Sequence, residues 1–125
     1  MRLNNECVRD LLLAIEENLG INDKVSIDDF ELPNYSNDEL IYTALKLIEA
    51  GFINGDSSKM IDGSIFVYVS SLTWDGHKFL DNIRDNEVWR KTKSIVSKFS
   101  SVSLGIISNV AAQVITALIK QQLGQ

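Results

Sequence analysis

Leu45-Lys46-Leu47-Ile48-Glu49-Ala50-Gly51-Phe52-Ile53 reads as the end of a helix that closes on a glycine and passes at once into a strand. Glycine at that point tolerates the left-handed conformation that terminates helices. Upstream, Pro33-Asn34 breaks the chain, and Ser36 with Glu39 has the spacing of a capping box, in which each side chain satisfies a backbone donor at the helix start. Tyr35 and Leu40 stand where a hydrophobic staple is placed. The spacing predicts a helix over 36–50 with Ile41, Ala44, Leu45 and Ile48 on its buried face.

Working outward, Phe52-Ile53 is expected to pair with Ser64-Ile65-Phe66-Val67-Tyr68-Val69-Ser70 across a polar, glycine-containing loop over 55–63, giving a hairpin with a flexible tip. Toward the N-terminus, Val8, Leu11, Leu12, Ile15 and Leu19 recur at helical spacing. Asn4 or Asn5 is available as a cap, and Gly20 stands where a left-handed turn would end that helix. Residues 24–27 alternate like a short strand, and 28–32 suit one helical turn. Toward the C-terminus, Thr73 caps a helix with Phe79, Leu80 and Ile83 facing inward. The period resumes at Val88 after a break near Asn86, and a polar hinge over 100–103 precedes a last helix over 104–122.

Helix, short strand, helical turn, helix, hairpin, helix is the order of a winged-helix domain, with the hairpin as the wing. A helix closing on Gly51 and entering a strand through Phe52-Ile53 resembles the junction between recognition helix and wing in such domains. The expected fold class is therefore α+β, mainly α: a winged-helix-like domain over 1–99, with a hinge and an additional apolar C-terminal helix over 100–125.

The composition is that of an ordered globular chain, with 45% hydrophobic and 23% charged residues and a single proline among 125. The single Cys7 has no partner for an intramolecular disulfide, and acids interrupt the first nineteen residues where a secretory signal would be apolar, so a cytoplasmic setting is expected. Cys7 itself reads as a small buried hydrophobe, because Glu6 beside it opposes a thiolate. The net charge of −5 is unevenly spread: residues 1–60 hold twelve acids and five bases, whereas 61–125 hold five acids and seven bases. Such a distribution suits a basic binding face, or oppositely charged parts that meet within or between protomers.

Both tryptophans and the only histidine fall in Leu72-Thr73-Trp74-Asp75-Gly76-His77-Lys78-Phe79-Leu80-Asp81-Asn82-Ile83-Arg84 and its continuation through Trp89-Arg90-Lys91-Thr92-Lys93. On this phrase, on the opening amphipathic helix and on Ile48-Glu49-Ala50-Gly51-Phe52-Ile53, the chain resembles an uncharacterised family of short bacterial and bacteriophage proteins, a domain of unknown function (DUF2513-like). The resemblance covers most of residues 7–93. It implies a cytoplasmic protein often carried on prophages, and it carries over no functional residues. The physical reading of the phrase is structural: Thr73 caps, Trp74 and Phe79 seal the helix against the hairpin, Gly76 permits close backbone approach, and His77 hydrogen-bonds a neighbouring loop.

No glycine-rich phosphate loop, paired-cysteine metal spacing or serine elbow occurs. The carboxylate pairs Glu16-Glu17, Asp28-Asp29 and Asp38-Glu39 fall where helix starts and loops place solvated acids. One histidine without a second ligand or a neighbouring nucleophile makes neither a metal site nor a base. An enzyme is not expected, and no catalytic, cofactor-binding or metal-ligating residue is assigned.

DNA is the usual partner of a winged helix, yet no basic residue lies between Lys24 and Lys46. The helix over 36–50 would present Asp38, Glu39, Tyr42, Thr43, Lys46 and Glu49 to phosphates, which it would repel. The candidate face for an anionic partner lies elsewhere: Lys78, Arg84, Arg90, Lys91, Lys93 and Lys98 are half of all Lys and Arg in the chain.

In the last helix Leu104, Ile107, Ala111, Val114 and Leu118 follow three-four spacing, and Ile106, Val110, Ile115 and Ile119 widen the apolar surface. Its apolar run of about sixteen residues is shorter than the ~20 that span a bilayer, so a membrane is not the expected partner. Self-association through this helix is preferred. The expected function is that of a non-enzymatic protein acting by protein contact and forming homo-oligomers. One alternative is a transcriptional regulator binding DNA through 78–98. Another is an inhibitor or trigger of a host or phage defence system, for which the acidic stretch over 28–39 mimics nucleic acid.

Overall fold

A computed structural model of the chain describes residues 1–124. The protein is mixed α+β and mainly α, with more than half of its residues in helices and one three-stranded antiparallel sheet. In chain order the elements are α1 (Asn5–Asn18), β1 (Val25–Ser26), a 3-10 turn (Ile27–Asp29), α2 (Asn37–Glu49), β2 (Ile53–Lys59), β3 (Ile65–Leu72), α3 (Trp74–Ile83), α4 (Asn86–Val96) and α5 (Leu104–Gln122). Two compact units divide the chain after Lys78, so α3 runs through the boundary. The expected boundary at 99/100 falls inside the second unit, where α4 and α5 contact each other and residues 97–103 connect them.

In the first unit the sheet order is β1-β3-β2, with β3 in the middle. Val67 and Val69 of β3 are buried while Phe66 and Tyr68 are exposed, the alternation of a sheet covered on one face. Helices α1 and α2 both contact β3. The buried stripe of α1 is Cys7, Val8, Leu11, Leu12 and Ile15. Its Asn4 cap accepts from the N–H groups of Glu6 and Cys7. The end of α1 differs from expectation: Leu19 is extended and Gly20 has no positive φ. The Gly20 N–H donates instead to Asp23, 2.7 Å away, so a side chain turns the chain there.

The buried face of α2 is rotated from the one expected. Leu40, Thr43, Ala44 and Leu47 are buried, whereas Ile41, Leu45 and Ile48 are half-buried. Thr43 tolerates burial because its hydroxyl donates to the carbonyl of Glu39 at 2.7 Å, leaving its methyl for the core. Ser36 accepts from the Glu39 N–H at 3.1 Å, but the Glu39 carboxylate accepts from Asn4 at 3.2 Å instead of turning back to Ser36. The capping box is thus half made, and Glu39 ties the start of α2 to the cap of α1. Gly51 adopts φ 78° and ends α2.

The hairpin is longer than expected, because the backbone ladder forms regardless of side-chain polarity. Ser57, Ser58 and Lys59 pair with Val67, Phe66 and Ile65, and a bulge lies at Asn54/Gly55. The tip is ordered by Asp62, which accepts from both the N–H and the hydroxyl of Ser64. Those hydrogen bonds favour the ionised carboxylate and hold Asp62 below the usual range.

In the second unit Phe79, Leu80, Ile83, Val88, Trp89, Ile107 and Ala111 are buried. Asp85 caps α4 by accepting from the Val88 N–H at 3.0 Å, and Ser103 caps α5. The break between α3 and α4 falls at residues 84–85, one position before the Asn86 expected from periodicity.

Candidate interaction surface

The tryptophan phrase forms a clamp on the turn between α2 and β2. The Thr73 hydroxyl accepts from the Gly76 N–H at 3.0 Å and donates to the Gly51 carbonyl at 2.5 Å, while the Thr73 N–H donates to the Phe52 carbonyl at 3.0 Å. Gly76 faces the same carbonyl: a Cβ there would stand 1.9 Å from the Phe52 oxygen. Trp74 does not seal the helix against the hairpin. It is 77% exposed, because residues two apart on a helix point to nearly opposite sides and Gly76 has the inward one. His77 lies beside α1 instead of a loop, its Nδ1 3.5 Å from the Glu16 carboxylate.

Of the polar face expected on α2, Thr43 is buried and Glu39 is committed to Asn4. Lys46 pairs with Glu49 at 2.9 Å and lies 5.5 Å from the centre of the Tyr42 ring. Its pKa is raised by that hydrogen bond and by the charge of Glu49. Of that expected face, Asp38 and this pair stay in solvent.

The basic residues do not form one set. Lys78 belongs to the first unit and the other five to the second. Arg84 pairs with Asp81 at 3.1 Å and Lys91 with Glu87 at 3.3 Å, each within its own segment. Lys93 lies 5.8 Å from the Trp89 ring centre, and Lys98 is exposed.

Cys7 is buried among α1 residues. Burial pushes its thiol up from the ordinary value, against a hydrogen bond with Thr43 that works the other way, and the charges of Glu39 and Asp10 add to the rise. Among the described residues no group of three His, Cys, Asp or Glu is arranged to hold a metal ion.

The surface with most chemical content belongs to α4 and α5. Asp85 and Glu87 line one groove with Ile119 and Leu123, so the start of α4 lies by the end of α5 and the two helices are antiparallel. Of the stripe expected to face a second copy, Ile107 and Ala111 are buried, and Leu104, Val114 and Leu118 are half-buried. Ile107 and Ala111 are therefore closed to a partner: this stripe is the one that α5 turns inward, since it carries the densest run of apolar side chains. Opposite it, Asn109, Gln113, Thr116 and Lys120 make an exposed polar stripe. Apolar side chains remain uncovered on its two flanks, with Ile106 50% and Ile119 53% exposed.

Each flank borders a groove. One, of about 330 Å³, is lined by Arg90, Lys91 and Ile95 of α4 with Val114, Ala117 and Leu118 of α5. The other, of about 420 Å³, is lined by Val88 of α4 with Ile115, Leu118, Ile119 and Leu123. What α5 leaves uncovered is thus these flanks and not the 107/111 stripe expected from the sequence. Periodicity detects the apolar residues but not which of them the chain itself covers.

The family described as Hypothetical protein (DUF2513) matches residues 2–103, which leaves α5 outside the matched span. The chain is also 30% identical over 121 residues to an "Uncharacterized protein" of Haemophilus influenzae, a span of 95% of this chain and 99% of the relative. No solved structure matches it. With most of its length matched by that family and nearly all of it aligned to the Haemophilus relative, the chain belongs to the DUF2513 family.

Proposed function

We propose that the protein is a non-enzymatic, winged-helix-like module of bacterial or prophage origin that works in the cytoplasm through protein contacts and self-associates through the α4–α5 hairpin. The observation that carries the reading is the state of α5: two of its nineteen residues are buried, and grooves run along both flanks of its C-terminal half. Two antiparallel helices cannot bury both apolar faces by themselves, and a second hairpin completes a four-helix bundle. In a two-fold contact each residue counts twice. On one flank, Ile119 and Leu123 are 53% and 66% exposed; counted from two copies, each recovers a little over half of the ~1.5–3 kcal/mol of a fully buried side chain, which meets the lower end of the association cost, roughly 4–15 kcal/mol.

The winged-helix likeness is supported by the order α1-β1-turn-α2-β2-β3 and by the sheet order β1-β3-β2, with a single 3-10 turn where such domains carry a full helix. DNA binding through 78–98 has less support, since Arg84 and Lys91 already face carboxylates of their own segment.

Light scattering on the full chain, with Ile106→Asp and Ile119→Asp variants checked for unchanged circular dichroism, tests the proposal. The expected result is a dimer or higher oligomer, reduced to monomer by the variant on the contacting flank. A monomeric parent at high micromolar concentration overturns it.

A further inference from the structure

The sixteen-residue apolar run read from the sequence understates α5: the helix runs nineteen residues and is long and apolar enough, by length and composition, to cross a membrane. Its nineteen residues rise ~1.5 Å each, or roughly 28 Å, close to the ~30 Å hydrocarbon core of a bilayer. Lys120, near its end, is its one charged residue. Two ordinary kinds of helix share these properties, the core helix of a water-soluble protein and the N-terminal signal. α5 is neither: it begins at Leu104, and only Ile107 and Ala111 are buried.

Charge names the partner surface. The second unit carries six bases against three acids, while the first carries six against fourteen. Arg90, Lys93 and Lys98 fall within the fourteen residues before Leu104, together with Lys91, which is paired with Glu87. Basic residues flanking an apolar helix are drawn to anionic headgroups and stay on the cytoplasmic side.

We infer that α5 inserts across an anionic lipid bilayer, with the basic residues of α4 held at the headgroups of the leaflet it enters. A helix that lies in the surface plane carries Lys and Arg along its polar face. The polar stripe of α5 is uncharged at Asn109, Gln113 and Thr116, and the Thr116 hydroxyl already donates to the Ala112 carbonyl within the helix. Insertion releases the hydrogen bond from Asn82 to Ser108, 2.8 Å long. Inside the bilayer the Asn109 and Gln113 amides pair between neighbouring α5 helices. Insertion takes α5, with Ile107 and Ala111, off α4, so it is an alternative state to the self-associated hairpin in water and does not depend on it.

Flotation of the full chain with vesicles tests it, comparing phosphatidylglycerol–phosphatidylcholine mixtures with phosphatidylcholine alone. The expected result is flotation with the anionic vesicles only, resistant to a molar salt wash, with α5 protected from added protease. Gln113→Lys puts a charge at the middle of α5 on its exposed stripe. It leaves the oligomer unchanged in light scattering and lowers the salt-resistant fraction at least about tenfold. No flotation at low ionic strength, flotation that salt reverses, or an unaffected Gln113→Lys variant overturns insertion. The Ile106 and Ile119 variants report on self-association separately.

Discussion

Gly76 approaches Phe52 so closely that a Cβ on residue 76 would lie 1.9 Å from the Phe52 carbonyl oxygen. Both are main-chain neighbours of the Thr73 clamp, so neither can retreat without breaking it. On helix propensity alone Gly→Ala gains ~1 kcal/mol. Here the clash reverses the sign, and Gly76→Ala is expected to lose about 3 kcal/mol or more in urea denaturation. Gly105→Ala, whose Cβ would meet nothing nearer than Ser103 at 3.9 Å, serves as the control and should be neutral or mildly stabilising. Equal stability of Gly76→Ala and the parent would contradict the close approach.

Thr92 is fully buried in α4, and its hydroxyl has no hydrogen-bond partner among the described residues. An unsatisfied buried hydroxyl forfeits ~1–3 kcal/mol of solvation. Thr92→Val keeps the shape and removes the polar atom, so its melting temperature should match or exceed the parent's. Thr92→Ser keeps the hydroxyl and removes the methyl, and should lower it. The reverse ranking would mean that the hydroxyl is satisfied.

The tryptophans should separate in fluorescence. Trp74, 77% exposed, gives red-shifted emission quenched by iodide, and Trp89, 5% exposed, gives blue-shifted, shielded emission. Trp74→Phe should remove the quenchable component and leave the melt unchanged. Trp89→Ala should destabilise by roughly 3–5 kcal/mol, the range for deleting a buried aromatic.

Alkaline pH should destabilise the fold. Burial raises the Cys7 thiol, and burial with the hydrogen bond to Asp10, 2.6 Å away, raises the Tyr35 hydroxyl. Both groups are held protonated in the fold and release protons sooner when unfolded. Their contribution is therefore complete below the unfolded values, ~8.5 and ~10, and is lost as pH rises toward the folded ones. Urea titrations across that window should show a steeper loss for the parent than for Cys7→Ala or Tyr35→Phe. Cys7 should also react with a thiol reagent only as fast as the protein unfolds; immediate labelling of native protein would show that it is not buried.

Sequence periodicity carried much of the architecture and little of the surface. The first helix, the Gly51 ending of α2, the hairpin and the order of elements are local: 3.6-residue spacing, a cap or a glycine is enough to read them. The errors turn on what a side chain meets, within its own helix or across to another segment, and not on its residue type. Thr43 is polar by type and buried in fact because the Glu39 carbonyl accepts its proton. Glu39 spans thirty-five positions to reach Asn4. Trp74, a large apolar residue, is exposed because it shares a turn with Gly76. The apolar pattern of α5 is half legible: periodicity shows an apolar helix in need of cover, but Ile107 and Ala111, at the centre of its pattern, are covered by the chain itself.

The sequence by itself determined an α+β, mainly α chain, the order of its elements and the caps of its helices, and an acidic front half followed by a basic and apolar back half. Short-range hydrogen bonding and side-chain periodicity specify these without reference to distant residues. Gly76 as a point of close backbone approach was legible in sequence, whereas tertiary structure alone decided that it meets the Phe52 carbonyl, the phase of α2, the division of the chain inside α3, and which flanks of α5 stay uncovered. Each depends on what lies across from a residue in space, and that is set by packing between segments far apart in the chain.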